Sequence, residues 1–138
     1  MFTPFSSRQT RGVAGKARLK NDLVVWLVTA DHQCRPHSVL VWFYWDGESF
    51  LVYSLPGQKV RGVQANPNVE LHLNSDLVGD DVVRISGTAK IARKEPPAYK
   101  VPGYVRKYRS QMKNLGMTPQ QFSEQYSVPI RIRPTRFH

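Results

Sequence analysis

Cysteine is all but missing from this chain: Cys34 stands alone among 138 residues, so no intrachain disulfide is possible and no cysteine-rich metal site exists. Acidic residues are scarce too, 10 against 20 Lys and Arg, which leaves a formal net charge of +10. Long hydrophobic runs are also lacking. The longest apolar stretches, around Leu23–Val28 and Val39–Trp45, fall far short of the roughly 20 residues a helix needs to cross a bilayer. Residues Met1 to Arg8 hold neither an apolar segment nor a small-residue cleavage site, so no secretory leader is expected, and a reducing, cytoplasmic setting follows. The basic residues form no block, being spread over Arg8–Lys20, Lys100–Lys113 and Arg131–Arg136. No nucleic-acid motif accompanies them, so neither nucleic acid nor a membrane is the expected partner. Scattered His and the lone Cys34 lack ligand spacing, and no protein-bound metal is expected. An anionic small molecule remains as the use for part of the charge.

With 41% hydrophobic and 22% charged residues, the chain has the make-up of one folded domain over residues 1–138. Residues 1–20 read as an entry arm or short helix whose apolar contacts are Val13, Ala14, Ala17 and Leu19. From Asp22 the period changes to that of strands. Asp22–Thr29, His37–Trp45, Ser49–Tyr53, Asn68–Asn74 and Val82–Ile91 are rich in β-branched and aromatic residues and are bounded by turn signals. Asp46-Gly47 marks a hairpin, and Gly87 marks a bend or bulge. In Asn68–Asn74, Val69, Leu71 and Leu73 share one face. A short helix is expected over Gln58–Ala65, stopped by Asn66-Pro67. Residues 96–126 form a helical insertion. Val101, Tyr104, Val105, Tyr108, Met112 and Leu115 make the stripe of a helix over Pro97–Leu115, and Thr118-Pro119-Gln120-Gln121 opens a second helix with a capping box. Ile130–Phe137 is the last strand. The pattern is five strands, two helices and one strand, so the expected class is mostly β with short helices.

The stretch Arg35–Gly47, then Leu51–Ser54, Gln58–Arg61 and Ala65–Val69, resembles the pyridoxamine 5'-phosphate oxidase-like, FMN-binding split-barrel flavoproteins. The likeness continues through Asp81-Val82-Val83 and Gly87-Thr88-Ala89. The tail segments Leu115–Pro119, Tyr126–Pro129 and Arg131–Arg136 are similar to a branch of that superfamily described as F420-dependent enzymes. This resemblance implies a six-stranded split β-barrel that binds a flavin-type cofactor and works as a homodimeric oxidoreductase. The two sites would lie at the interface, with the Pro97–Leu115 helix and the arginine-rich last strand as candidates for the second wall.

By the same resemblance, His37, Ser38, Val39, Leu40, Val41 and Trp42 lie along the cofactor ring, and Tyr53, Ser54, Gln58 and Lys59 take the phosphate side. The residues themselves agree with an anion site. Lys59 and Arg61 stand at the start of a short helix, where unpaired amides and the helix dipole favour negative charge. A strand suits a flat ring, since its backbone reaches the ring edge while alternate side chains face the core. FMN-dependent members place a glutamine near the start of the fifth strand, where this chain has Val82, and their phosphate-loop basic pair is reduced here to Gln58-Lys59. Coenzyme F420 is therefore the expected cofactor, with FMN the alternative, and the expected chemistry is hydride transfer to or from a small organic substrate. No catalytic acid stands out. His37, Tyr44 and His72 qualify by residue type, but a lone strand histidine is more often structural, and His32 and His138 read as turn and terminus residues. An FMN-binding oxidase-like protein and a non-enzymatic flavin or haem module remain open, as does a base-stacking nucleic-acid barrel on the strength of charge and aromatics.

Overall fold

The computed structural model describes residues 9–138, with side chains from Gly15 onward. The readings on Met1–Arg8 and on Val13 and Ala14 fall outside them. Side chains alternate across each strand, so one face is buried at every second residue. In β1 (Val25–Ala30), Val25, Leu27 and Thr29 point into the core. β5 (Asn68–His72) does the same with Val69 and Leu71, and Leu73 continues that buried row beyond it. β2 (Pro36–Val41), β3 (Tyr44–Trp45), β4 (Phe50–Ser54), β6 (Arg84–Ile91) and β7 (Val128–Phe137) complete one antiparallel sheet in the order β2-β1-β5-β6-β7-β4-β3. Four helices accompany it among the described residues: α1 (Gln9–Asn21), α2 (Gln58–Ala65), α3 (Pro102–Asn114) and α4 (Pro119–Gln125).

The sheet has seven strands where six were expected, because the run His37–Trp45 is two strands. β2 and β3 lie at opposite edges of the sheet, yet only Trp42 and Phe43 separate them. Three Cα–Cα steps span at most about 11 Å. The two edges must therefore meet at this corner, which rolls the sheet into a barrel. β3 reaches only Leu51 of its partner. Continuing that register would set Phe43 against Val52 and Trp42 against Tyr53, but pairing stops. Instead the Tyr108 hydroxyl accepts the Phe43 amide at 2.7 Å, and the Lys107 ammonium donates to the Phe43 carbonyl at 2.8 Å. α3 thus holds the barrel open along one line. Between β2 and the Val52–Ser54 part of β4 no strand intervenes, and the barrel is split there.

Two apolar clusters follow from this shape. The barrel interior holds Leu27, Phe43, Phe50, Leu71, Ile85 and Ile132, among others, and Leu19 of α1 joins it while Ala17 stays exposed. The outer face of β4 packs under α3 and α4 through Leu51, Tyr53, Tyr104, Tyr108, Met112 and Phe122. The expected Pro97–Leu115 helix is interrupted: Ala98–Lys100 is a single 3-10 turn, and α3 begins at Pro102. Proline has no amide to continue the preceding turn, so the helix restarts there. α4 opens on the expected capping box, with Gln121 N–H donating to Thr118 Oγ1 at 3.1 Å and Thr118 N–H to Gln121 Oε1 at 2.9 Å. Gly87 sits at a register shift between β6 and β7, and a Cβ there would lie 2.9 Å from the Arg133 carbonyl oxygen.

Candidate functional site

Two lips and a helix define the site. One lip is β2, whose outer edge has no strand neighbour among the described residues; the other is the end of β4 beyond β3. Unpaired strand edges offer rows of backbone N–H and C=O groups to whatever lies between them. The split therefore presents donors and acceptors to a flat polar-edged group without any side chain being required. Along β2 the side chains divide by alternation: Val39 and Val41 pack on the barrel core, while Ser38 and Leu40 turn outward, Leu40 remaining 48% exposed.

On the second lip, Tyr53 sends its ring under the helices, edge-on to Tyr104 at 5.0 Å, and its hydroxyl donates to the Pro96 carbonyl at 2.6 Å. Burial, helped by the Glu95 carboxylate, pushes this phenol up to about 12. The Ser54 hydroxyl is buried and donates to the Leu55 carbonyl at 2.6 Å. Trp42 likewise turns toward the helices, stacked on Tyr108 at 4.6 Å and on Phe122 at 5.2 Å. The side chains of Trp42 and Tyr53 thus belong to the packing under α3 and α4, and only their backbone faces the split.

α2 follows the second lip directly. Val60 and Val63 bury its inner face, and Gly62 lets it approach β1 so closely that a Cβ would stand 2.9 Å from Thr29 Oγ1. No side chain caps its first turn, so the amides there have no partner within the helix. Lys59 is half-buried and Arg61 exposed, and neither makes an ion pair among the described residues. This end of α2 touches the first lip, where Gln58 Nε2 donates to His37 Nδ1 at 3.0 Å. With Nδ1 accepting, the His37 proton belongs on Nε2, which faces Asp31 Oδ2 at 3.4 Å. Asp31 is fixed by the turn before β2. The Arg35 amide at 3.0 Å, followed by the Arg35 guanidinium at 2.9 Å and the Gln33 amide, holds its carboxylate well below the usual range. Asp31, His37, Gln58 and Arg61 line a groove of about 450 Å³.

Of the residues singled out from the sequence, the structure brings His37, Gln58 and Arg61 into one groove, with Lys59 on the same helix turn. It sets the β2 backbone and that of Tyr53 and Ser54 on the two lips of the split. Asp31 was legible only as part of a turn; an aspartate six residues before a strand histidine gives no signal of its own. Tyr108 and Lys107, which open the split, were legible as helix residues but not as partners of Phe43. Tyr44, a candidate by residue type, lies beyond the corner, and His72 stacks on Trp26 at 6.2 Å on the outer sheet face.

The family model described as pyridoxamine 5'-phosphate oxidase matches residues 14–138. No curated protein matches the chain. Among solved structures, one described as an F420 reductase is 22% identical, with a TM-score of 0.66, covering 89% of this chain and 94% of that one. An FAD-binding protein from Mesorhizobium loti is 16% identical with a TM-score of 0.65, covering 91% and 88%. HutZ, the haem storage protein from Vibrio cholerae, is 15% identical with a TM-score of 0.57, covering 97% and 92%. At these identities the likeness is one of fold.

Proposed function

Because this chain belongs to the pyridoxamine 5'-phosphate oxidase family, we propose that it binds a flavin-type cofactor in the split, coenzyme F420 rather than FMN, and works as a cytoplasmic homodimeric oxidoreductase on a small organic substrate. The observation that carries this reading is the uncapped start of α2 with Lys59 and Arg61, two cations unpaired among the described residues, at the end of two strand edges likewise unpaired among them. That donor set fits a long flat ring with an anionic tail. The amides of the first helical turn and Lys59 hold the phosphate, Arg61 takes further negative charge, and the β2 and β4 backbones hold the ring edge. His37, held between Gln58 and Asp31, forms part of the groove wall. When bound, a deazaflavin supplies hydride transfer to or from an electron-poor substrate. The F420 reductase among the similar folds and the absence of the family's glutamine at Val82 favour F420 over FMN. Ser38 and Leu40 on the outward face of β2 are open for a second copy to cover.

A fluorescence titration of the apoprotein with F420 and, separately, with FMN tests this, with Lys59→Ala alongside. Tight F420 binding, weak FMN binding and a tenfold or greater loss in the variant are expected. The reverse preference would move the protein to the FMN side of the family. Binding of haem alone would make it a non-enzymatic carrier. A monomer by light scattering with cofactor bound would refute the shared site.

A further inference from the structure

A second cavity, about 800 Å³, lies at the other end of the β2–β3 run from His37, against the β3–β4 hairpin. Its volume is that of a small-molecule site. Three elements besides the hairpin build it: the end of α1, the first turns of α3 and the end of β7. Leu19, Tyr44, Trp45 and Phe137 give it apolar and aromatic walls. Lys16 and Lys20 approach from α1, Arg106 and Lys107 from α3.

None of these four cations makes an ion pair among the described residues. Two of the nearby carboxylates have other partners. Asp46 accepts the Glu48 and Ser49 amides at 2.8 Å and pairs with Arg131 at 3.1 Å, and Asp22 pairs with Arg18 at 2.6 Å. Glu48 is the one further acid in the lining. The first 21 residues of the sequence contain no Asp or Glu, so the segment before the described residues brings no counter-charge either. Like charges gathered on an aromatic-walled cavity repel one another unless an anion sits among them. Lys107 lies 3.7 Å over the Phe43 ring, and burial, offset in part by Asp22, pushes its ammonium down to about 8.

We propose that this cavity is a second ligand site, separate from the split, that takes a small amphiphilic anion: an apolar or aromatic body bearing a carboxylate, sulfonate or phosphate. The body lies against Trp45, Tyr44 and Phe137, and the anionic group reaches Arg106, Lys107 and Lys20. The proposal does not depend on which cofactor fills the split.

The test is a fluorescence titration of the full chain with 8-anilinonaphthalene-1-sulfonate, and with N-phenyl-1-naphthylamine, which keeps the rings and lacks the sulfonate. Lys20→Glu with Arg106→Glu, both at exposed positions, is expected to weaken the sulfonate probe at least tenfold and to leave the neutral probe within twofold. Arg61→Glu, in the other groove, is expected to leave both within twofold. The milder pair Lys20→Gln and Arg106→Gln serves if the reversal variant fails to fold by circular dichroism. The proposal is overturned if the sulfonate probe does not bind, if its affinity survives loss of the Lys20 and Arg106 charges, if Arg61→Glu abolishes binding, or if saturating F420 or FMN displaces the probe.

Discussion

Replacing Tyr108 by Phe isolates the contact that opens the barrel. The phenyl ring of the variant keeps the stack on Trp42 at 4.6 Å and the contact with Tyr104, so packing is unchanged and only the hydroxyl is lost. That hydroxyl accepts the buried Phe43 amide at 2.7 Å and donates to the Leu23 or Phe43 carbonyl, each at 2.8 Å. Lys107 still serves the Phe43 carbonyl in the variant, whereas the amide is left without a partner. A buried unsatisfied amide costs about 1–3 kcal/mol, and the lost donation adds to it, so destabilisation of about 2–3 kcal/mol is expected. For a domain of this size that lowers Tm by roughly 8 °C. Urea unfolding gives the free energy, and amide exchange at Phe43 gives a local reading that should accelerate with it. A loss below about 0.5 kcal/mol, the scale of an ordinary surface change, would mean that Tyr108 does not hold the corner.

Two further outcomes follow from burial and from close approach. Tyr104 and Tyr108 are held well above their ordinary value by burial and Tyr53 is pushed up to about 12, so the unfolded chain releases these protons first as pH passes 10. Stability from these groups is fully present below pH 10 and is lost above it. The two buried tyrosines each contribute a slope of about 1.4 kcal/mol per pH unit. Lys107 acts in the opposite sense: its folded value of about 8 lies below the unfolded one, so its penalty is complete below pH 8 and is relieved as pH rises toward 10. Urea midpoints measured across the range should therefore peak between pH 8 and 10, and a midpoint unchanged from pH 10 to 12 would contradict the burial of the tyrosines. Gly87→Ala would place a Cβ 2.9 Å from a backbone oxygen that cannot rotate away, so a loss of about 2 kcal/mol is expected by thermal unfolding. A variant as stable as the parent would show that β7 shifts freely there.

What could be read in the sequence was set by punctuation. α2 was legible to the residue because Pro56-Gly57 precedes it and Asn66-Pro67 stops it. The capping box of α4 and the register shift at Gly87 were equally local. The break between β2 and β3 was not, because Val41, Trp42, Phe43 and Tyr44 are all good strand residues. It is imposed by Tyr108 and Lys107, residues more than sixty positions away that claim the Phe43 peptide. The same distance hid part of the site. Lys59 and Arg61 could be seen at a helix start, but the facing of β2 and β4 across the split entered only through family resemblance. The second cavity was invisible, since its cations come from α1 and α3, each of which reads as an ordinary solvated helix.

The place of β7 in the sheet bears on how the chain reaches its folded state. β7 lies between β6 and β4, and it pairs with β4 through Phe50↔Ile132, residues far apart in sequence. During synthesis β4 is complete some eighty residues before its partner is made, and until then β4 has no β7 neighbour. Only the β1–β2, β1–β5, β3–β4 and β5–β6 pairings are available to the partial chain. The longest-range closure, β4 with β7, is therefore met in a late step, which places this barrel among domains of high contact order whose folding is slow relative to helical ones. A nascent chain held short of Val128 should stay open to protease, and the same chain should become resistant once β7 has docked.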